Sequence, residues 1–177
     1  MANCEKIVIA GFSGAGKSGL LREISLSRPQ DFVFFDDLDQ LILRKWGTTT
    51  LADLIAQKGW EWFRQTERTE LFEWINQQGK GVLALGGGTL SPKLWDELQG
   101  RPELKVVYVE ADVETCWQRL TTFPGEERPL LKEGKEAFLK RFQERSLVFE
   151  KIPLRLKNSE GRSLSELAQE FWEQVHC

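Results

Sequence analysis

The sequence is poor in the residues that hold small or metal-dependent folds together: 3 cysteines, one histidine, one methionine and one tyrosine in 177 residues. Cys4, Cys116 and Cys177 are odd in number and show no C-x-x-C spacing, and His176 has no ligand partner near it. A disulfide framework and a zinc site are therefore not expected, and the cysteines read as free thiols in a reducing cytoplasm. No run approaches the ~20 apolar residues of a membrane span. The start MANCEKIVIA lacks the basic region and long apolar core of a secretory signal, so a soluble, cytoplasmic protein without membrane contact is expected. An excess of positive charge is also missing: 24 Lys and Arg stand against 27 Asp and Glu, and the formal net charge of −3 leaves no general basic surface for nucleic acid. Any anionic ligand must be held by local cations. Internal repeats, low-complexity tracts and linker-like segments are missing as well, and residues 1–177 suit a single domain able to bury roughly 70% of its unfolded surface.

Several features stand against these absences. Seven tryptophans accompany the single tyrosine and read as core and helix packing. The apolar runs KIVIA (6–10), FVFFD (32–36), GVLAL (81–85) and LKVVYVE (104–110) read as strands covered on both faces, with LRLKN near Leu154 a weaker fifth. Helix starts lie between them: Thr50 with Asp53, Ser91 before Pro92, Asp112, and Ser163 with Glu166 as a capping box. The segment from Trp60 to Gln78 offers Phe63, Leu71, Phe72, Trp74 and Ile75 to a core. Strands alternating with helices predict an α/β fold, a parallel sheet between two helical layers. Ligands of such folds bind beyond the carboxyl ends of the strands, so the loops after Ala10, Phe35, Leu85 and Glu110 are where chemistry is expected.

Residues 11–18, GFSGAGKS, fit G-x-x-x-x-G-K-S between a predicted strand and a predicted helix, the context that makes this phosphate-binding loop specific. Gly14, Ala15, Gly16, Lys17, Ser18 and Gly19 form the expected nucleotide-binding set. Backbone N–H groups and the helix N-terminus cradle phosphates, Lys17 reaches the β and γ oxygens, and Ser18 offers a hydroxyl to Mg²⁺. The loop specifies a nucleoside triphosphate and leaves the reaction open.

The other strand ends narrow it. FFDDLDQL puts Asp36, Asp37 and Asp39 at the end of the second strand. An aspartate here can hold Mg²⁺ while another meets a substrate hydroxyl, although an acidic helix start alone would account for the cluster. Gly86, Gly87 and Gly88 close the third strand, allowing either close backbone approach to a ligand or an ordinary turn. Arg64 stands one turn before Glu67, whose plain reading is a surface ion pair. RLTTFPGEERPLL (119–131) reads as a flap bringing Arg128 to a transferring phosphoryl group, or as a surface loop. Arg141 and Arg145 lie on a charged helix face.

In this order the motifs resemble those of the shikimate kinases over nearly the whole chain: G-x-x-x-x-G-K-S at 11–18, D-x-D at 37–39, F-R-x-x-E at 63–67, G-G-G at 86–88, R-P-L-L at 128–131, and Arg145 in ERSLVFEKI. The resemblance implies a three-layer P-loop kinase fold with a five-stranded parallel sheet of order 2-3-1-4-5. It implies ATP and Mg²⁺ as cofactors and transfer of the γ-phosphate to the 3-hydroxyl of shikimate; a monomer is expected. It assigns Lys17, Asp39 and Arg128 to catalysis, Ser18 and Asp37 to the metal, and Arg119 to a place beside adenine. Asp39, Arg64, Gly86, Gly87, Gly88 and Arg145 would bind the acceptor, residues 38–66 would form the substrate-binding segment with Leu51 to Phe63 as an apolar wall, and 121–133 the flexible lid. FSGAGKS also resembles the loops of gluconate and adenylyl-sulfate kinases. A kinase for another small hydroxy acid and a non-catalytic ATP-binding module remain the alternatives.

Overall fold

The computed structural model describes residues 5–28, 30, 32–48, 50–122, 131 and 133–175. Five parallel strands, β1 (Lys6–Ala10), β2 (Phe32–Asp37), β3 (Lys80–Ala84), β4 (Leu104–Glu110) and β5 (Leu154–Lys157), form one sheet in the order β2-β3-β1-β4-β5. The expected strand order is therefore observed. The eight helices among the described residues are α1 (Lys17–Leu26), α2 (Leu38–Trp46), α3 (Leu51–Lys58), α4 (Trp60–Ile75), α5 (Pro92–Leu98), α6 (Val113–Thr122), α7 (Gly134–Phe149) and α8 (Leu164–Gln174).

β1 is the central strand, and all five of its residues are buried. Ile9 aligns with Ala84 of β3 on one side and Val107 of β4 on the other. Continuous β-branched runs suit this position because both faces of a central parallel strand are covered. At the opposite end of β1 from the phosphate loop, buried Lys6 donates to the Gly79 carbonyl at 2.5 Å and stands 5.0 Å from the Trp74 ring.

The helix starts follow local chemistry. Thr50 Oγ1 accepts from Asp53 N, Ser91 Oγ from Leu94 N, and Ser163 with Glu166 forms a reciprocal capping box. Each such cap contributes about 1 kcal/mol by satisfying an otherwise orphaned N–H. The tryptophans divide: Trp74 and Trp95 are core residues, whereas Trp46 and Trp60 are 43% and 48% exposed. Core packing does not account for those two: they stand on the α2–α4 segment and meet neighbouring rings edge to face, Trp46 with Trp62 and Trp60 with Phe63.

Parallel register brings the carboxyl ends of β1, β2, β3 and β4 to one edge of the sheet, and the loops carrying the chemistry emerge there. Ile9→Ala, which empties a fully buried position just before the phosphate loop, is expected to lower unfolding free energy by about 2–5 kcal/mol. Urea denaturation checks this through the transition midpoint at unchanged slope.

Candidate functional site

The phosphate loop joins β1 to α1. Gly14 and Gly16 adopt φ of +84° and +97°, a region that side chains disfavour. A methyl group on Gly16 would also lie 2.4 Å from Asn158 Nδ2, which donates to the Ala15 carbonyl at 2.7 Å. Arg119 Nη1 donates to the carbonyls of Gly14 and Ala15 at 3.3 and 3.4 Å. Residues from β5's end and α6 thus brace the loop from outside, turning two of its carbonyls away from the cradle. Lys17, buried at the first position of α1, donates to the carbonyls of Gly11 and Phe12 at 2.9 and 3.0 Å. Gly19 sits one turn along, with the Leu164 side chain 3.2 Å from where its Cβ would be. Cys116 packs behind the loop as a buried free thiol, pushed up to about 11 by burial, and is not a nucleophile.

Asp37 caps α2, accepting from the N–H groups of Asp39 and Gln40, and its other oxygen accepts from Ser18 Oγ at 2.9 Å. The helix-cap reading and the metal reading of this cluster are thus compatible in one residue. No group of three or more His, Cys, Asp or Glu side chains able to hold a metal occurs among the described residues. A hydroxyl and one carboxylate beside a phosphate loop fit Mg²⁺, which keeps waters and shares phosphate oxygens rather than entering an all-protein cage. Asp36 is occupied elsewhere, accepting from Trp74 Nε1 at 2.9 Å and facing Arg44.

Asp39, on the first turn of α2, faces the glycine turn after β3. A methyl group on Gly86 would lie 2.8 Å from Asp39 Oδ1, 2.9 Å from Thr89 Oγ1 and 3.1 Å from Glu67 Oε1. One on Gly88 would lie 2.5 Å from Arg64 Nη2 and 2.9 Å from Arg145 Nη2. Gly87 faces the phosphate loop itself, 2.6 Å from Ser13 N by the same measure. The structure therefore brings Asp39, Arg64, Arg145 and Gly86 to Gly88 together beside the loop. Arg128, with most of the 121–133 segment, lies outside the described residues, as do Cys4, His176 and Cys177.

The charges within this cluster are unequally matched. Arg64 Nη1 donates to Glu67 Oε2 at 2.5 Å. Glu67 is only 2% exposed, so the plain reading of a surface ion pair gives way to a buried carboxylate with two partners, Arg64 and Thr89. Arg145 has no hydrogen bond or ion pair among the described residues, and burial first, then neighbouring Arg64, pushes its guanidinium below the usual value. Two adjacent guanidiniums with one carboxylate between them leave a net demand for an anion. Arg141, four residues earlier, pairs with Glu133 on the surface and takes no part. Asp39 is pushed up from 3.8 to about 7, mainly by burial and then by Asp37 and Glu67, against the opposing pull of Lys17 and Arg64.

A family model for shikimate kinase matches residues 13–176. The chain belongs to the shikimate kinase family. It is 32% identical over 172 residues to a shikimate kinase of Thermus thermophilus, covering 96% of this chain and 89% of that one. It is 30% identical over 167 residues to one from Sulfurihydrogenibium, covering 94% and 95%. Among solved structures, shikimate kinase from Acinetobacter baumannii in complex with shikimate superposes with a TM-score of 0.81 at 27% identity, covering 98% of this chain and 94% of that one. As a shikimate kinase family member, the chain is an ATP-dependent kinase. Asn158 and Thr89 escaped the sequence reading. A lone asparagine after a weak strand carries no motif, and Thr89 looked like the tail of a glycine turn.

Folding raises the Asp39 pKa, so between 3.8 and about 7 the folded state holds a proton that the unfolded chain releases. That contribution is intact below 3.8 and lost as pH climbs through 7. Asp39→Asn cannot ionise, so without nucleotide or metal its melting temperature is expected to gain more over wild type at pH 8 than at pH 4.5. Equal differences at both pH values would contradict the assignment.

Proposed function

We propose that the protein transfers the γ-phosphate of ATP to the 3-hydroxyl of shikimate, yielding shikimate 3-phosphate and ADP. The observation that carries this reading is the convergence of Asp39, Arg64 and Arg145 on Gly86–Gly88, against the phosphate loop at Ser13. Arginines at one end and an aspartate at the other describe an acceptor with a carboxylate and a hydroxyl on opposite sides of a small ring. Arg145, without an ion-pair partner among the described residues, and Arg64, already shared with Glu67, grip the carboxylate in a planar, bidentate manner that an alcohol or a simple sugar cannot satisfy. Gly86, Gly87 and Gly88 let the ring lie against bare backbone.

Asp39 holds the accepting hydroxyl and, in its ionised form above about 7, accepts its proton. Gly14, Ala15, Gly16, Lys17, Ser18 and Gly19 receive the triphosphate, with Arg119 at the nucleotide end of the same loop. Lys17 exchanges its two loop carbonyls for phosphate oxygens. Ser18 and Asp37 would hold Mg²⁺, which would supply positive charge to offset that of the phosphates. Arg128 meets the transferring group from the 121–133 lid, and residues 38–66 form the acceptor-binding segment of a single kinase domain spanning 1–177. The protein's residues align the reactants and stabilise charge, with no covalent intermediate on the chain. The proposal includes a monomer working in the cytoplasm, with ATP and shikimate as its partners. Among the described residues no helix is long and apolar enough to cross a membrane.

A coupled ADP-release assay over a panel of hydroxy acids, with and without Mg²⁺, tests the reading. Turnover is expected with shikimate and Mg²⁺. Turnover with gluconate alone, or nucleotide binding without any phosphorylated product, would replace it. In that assay Lys17→Ala is expected to lower kcat at least about 100-fold. Arg145→Ala should raise the shikimate KM about tenfold or more while the KM for ATP stays within about twofold.

A further inference from the structure

Thr89 has no place in any of the motifs, yet it sits at the junction of the two charged halves of the acceptor pocket. It is 6% exposed and follows the glycine turn, which its own N–H closes onto the Gly86 carbonyl at 3.2 Å. Its hydroxyl donates to Glu67 Oε1 at 2.5 Å, while the other oxygen of Glu67 accepts from Arg64 Nη1.

We propose that Thr89 is a positioning residue for acceptor recognition: its hydroxyl fixes the Glu67 carboxylate, and that carboxylate aims the Arg64 guanidinium into the pocket. The inference deepens the reading of this pocket as a hydroxy-acid site and rests on it. The need for such a device follows from Arg64 itself. Its side chain is 38% exposed, has many rotamers open to it, and lies over the ring of Trp60, which is itself half exposed. Glu67, three residues along on the same helix, cannot hold it alone, because rotation about the last torsion of a glutamate is soft. Thr89 comes from a different element, the turn after β3, and its branched Cβ restricts its own rotation. It therefore ties the arginine on α4 to the backbone turn against which the acceptor lies. The position of Arg64 relative to Gly88 is then set by the sheet rather than by the helix surface.

Thr89→Val preserves the shape, removes the donor and leaves Glu67 Oε1 buried without its partner, so the charge is free to turn away. Thr89→Ser keeps the donor. The expected result for Thr89→Val is a roughly tenfold higher KM for shikimate, kcat within about twofold, and an unchanged KM for ATP. Thr89→Ser should stay within about threefold of wild type in every constant. A second readout needs no acceptor: in the ligand-free protein the Arg64 guanidinium ¹⁵N resonances, assigned by their loss in Arg64→Lys, should be distinct in wild type and averaged by rotation in Thr89→Val. Should valine prevent folding, Thr89→Ala carries the same expectations. Thr89→Val with a lower melting temperature but wild-type shikimate KM and resonances would overturn the proposal, as would parallel losses for both substrates. Absence of turnover with shikimate in wild type would instead strike the acceptor assignment, and the resonance comparison would still decide the role of Thr89.

Discussion

Only a hydrogen atom fits between Gly87 and the backbone of Ser13, where a methyl group would come within 2.6 Å of the Ser13 nitrogen. That contact joins the phosphate loop to the glycine turn that Asp39, Arg64 and Arg145 face. It exists because β1 and β3 are neighbours in register, Ile9 beside Ala84, so that both loops leave the sheet at the same height. Phosphoryl transfer asks a protein mainly to hold two reactants close and in line, and this contact sets how close the two loops lie.

The electrostatics of the pocket follow from crowding at that edge. Asp37, Asp39 and Glu67 are interleaved there with Lys17, Arg64 and Arg145. The result is not neutral pairing: Glu67 satisfies Arg64, Arg145 has no ion-pair partner among the described residues, and the Asp39 carboxyl holds its proton to near neutral pH. A buried guanidinium beside another and a buried carboxyl beside two acids are both costly, and a carboxylate by the arginines with a cation near the aspartates would relieve them. The unevenness is therefore itself a description of the ligand.

The phosphate loop is shaped as much from behind as from within. Asn158 and Arg119 hold the carbonyls of Gly14 and Ala15, so that the loop's N–H groups are free to face a phosphate. These two residues come from beyond β4, on α6 and after β5, so that half of the sheet shapes the phosphate loop from outside.

The sequence by itself determined the elements, the strand order implied by its family resemblance, and the residue types of the site. Each of those rests on short-range chemistry: apolar runs for buried strands, serine or threonine caps for helix starts, glycines where φ is positive. Boundaries moved by a single residue, as at β3, which runs Lys80–Ala84 rather than 81–85. Glu67 was legible as a partner of Arg64 because they lie one helical turn apart, but its burial was not. Depth depends on what packs over a residue, and Thr89 comes from another part of the chain. Asn158, 143 residues from the carbonyl it holds, was beyond reach for the same reason. Local signals reveal which side chains are available, and only the closing of the sheet decides which of them meet.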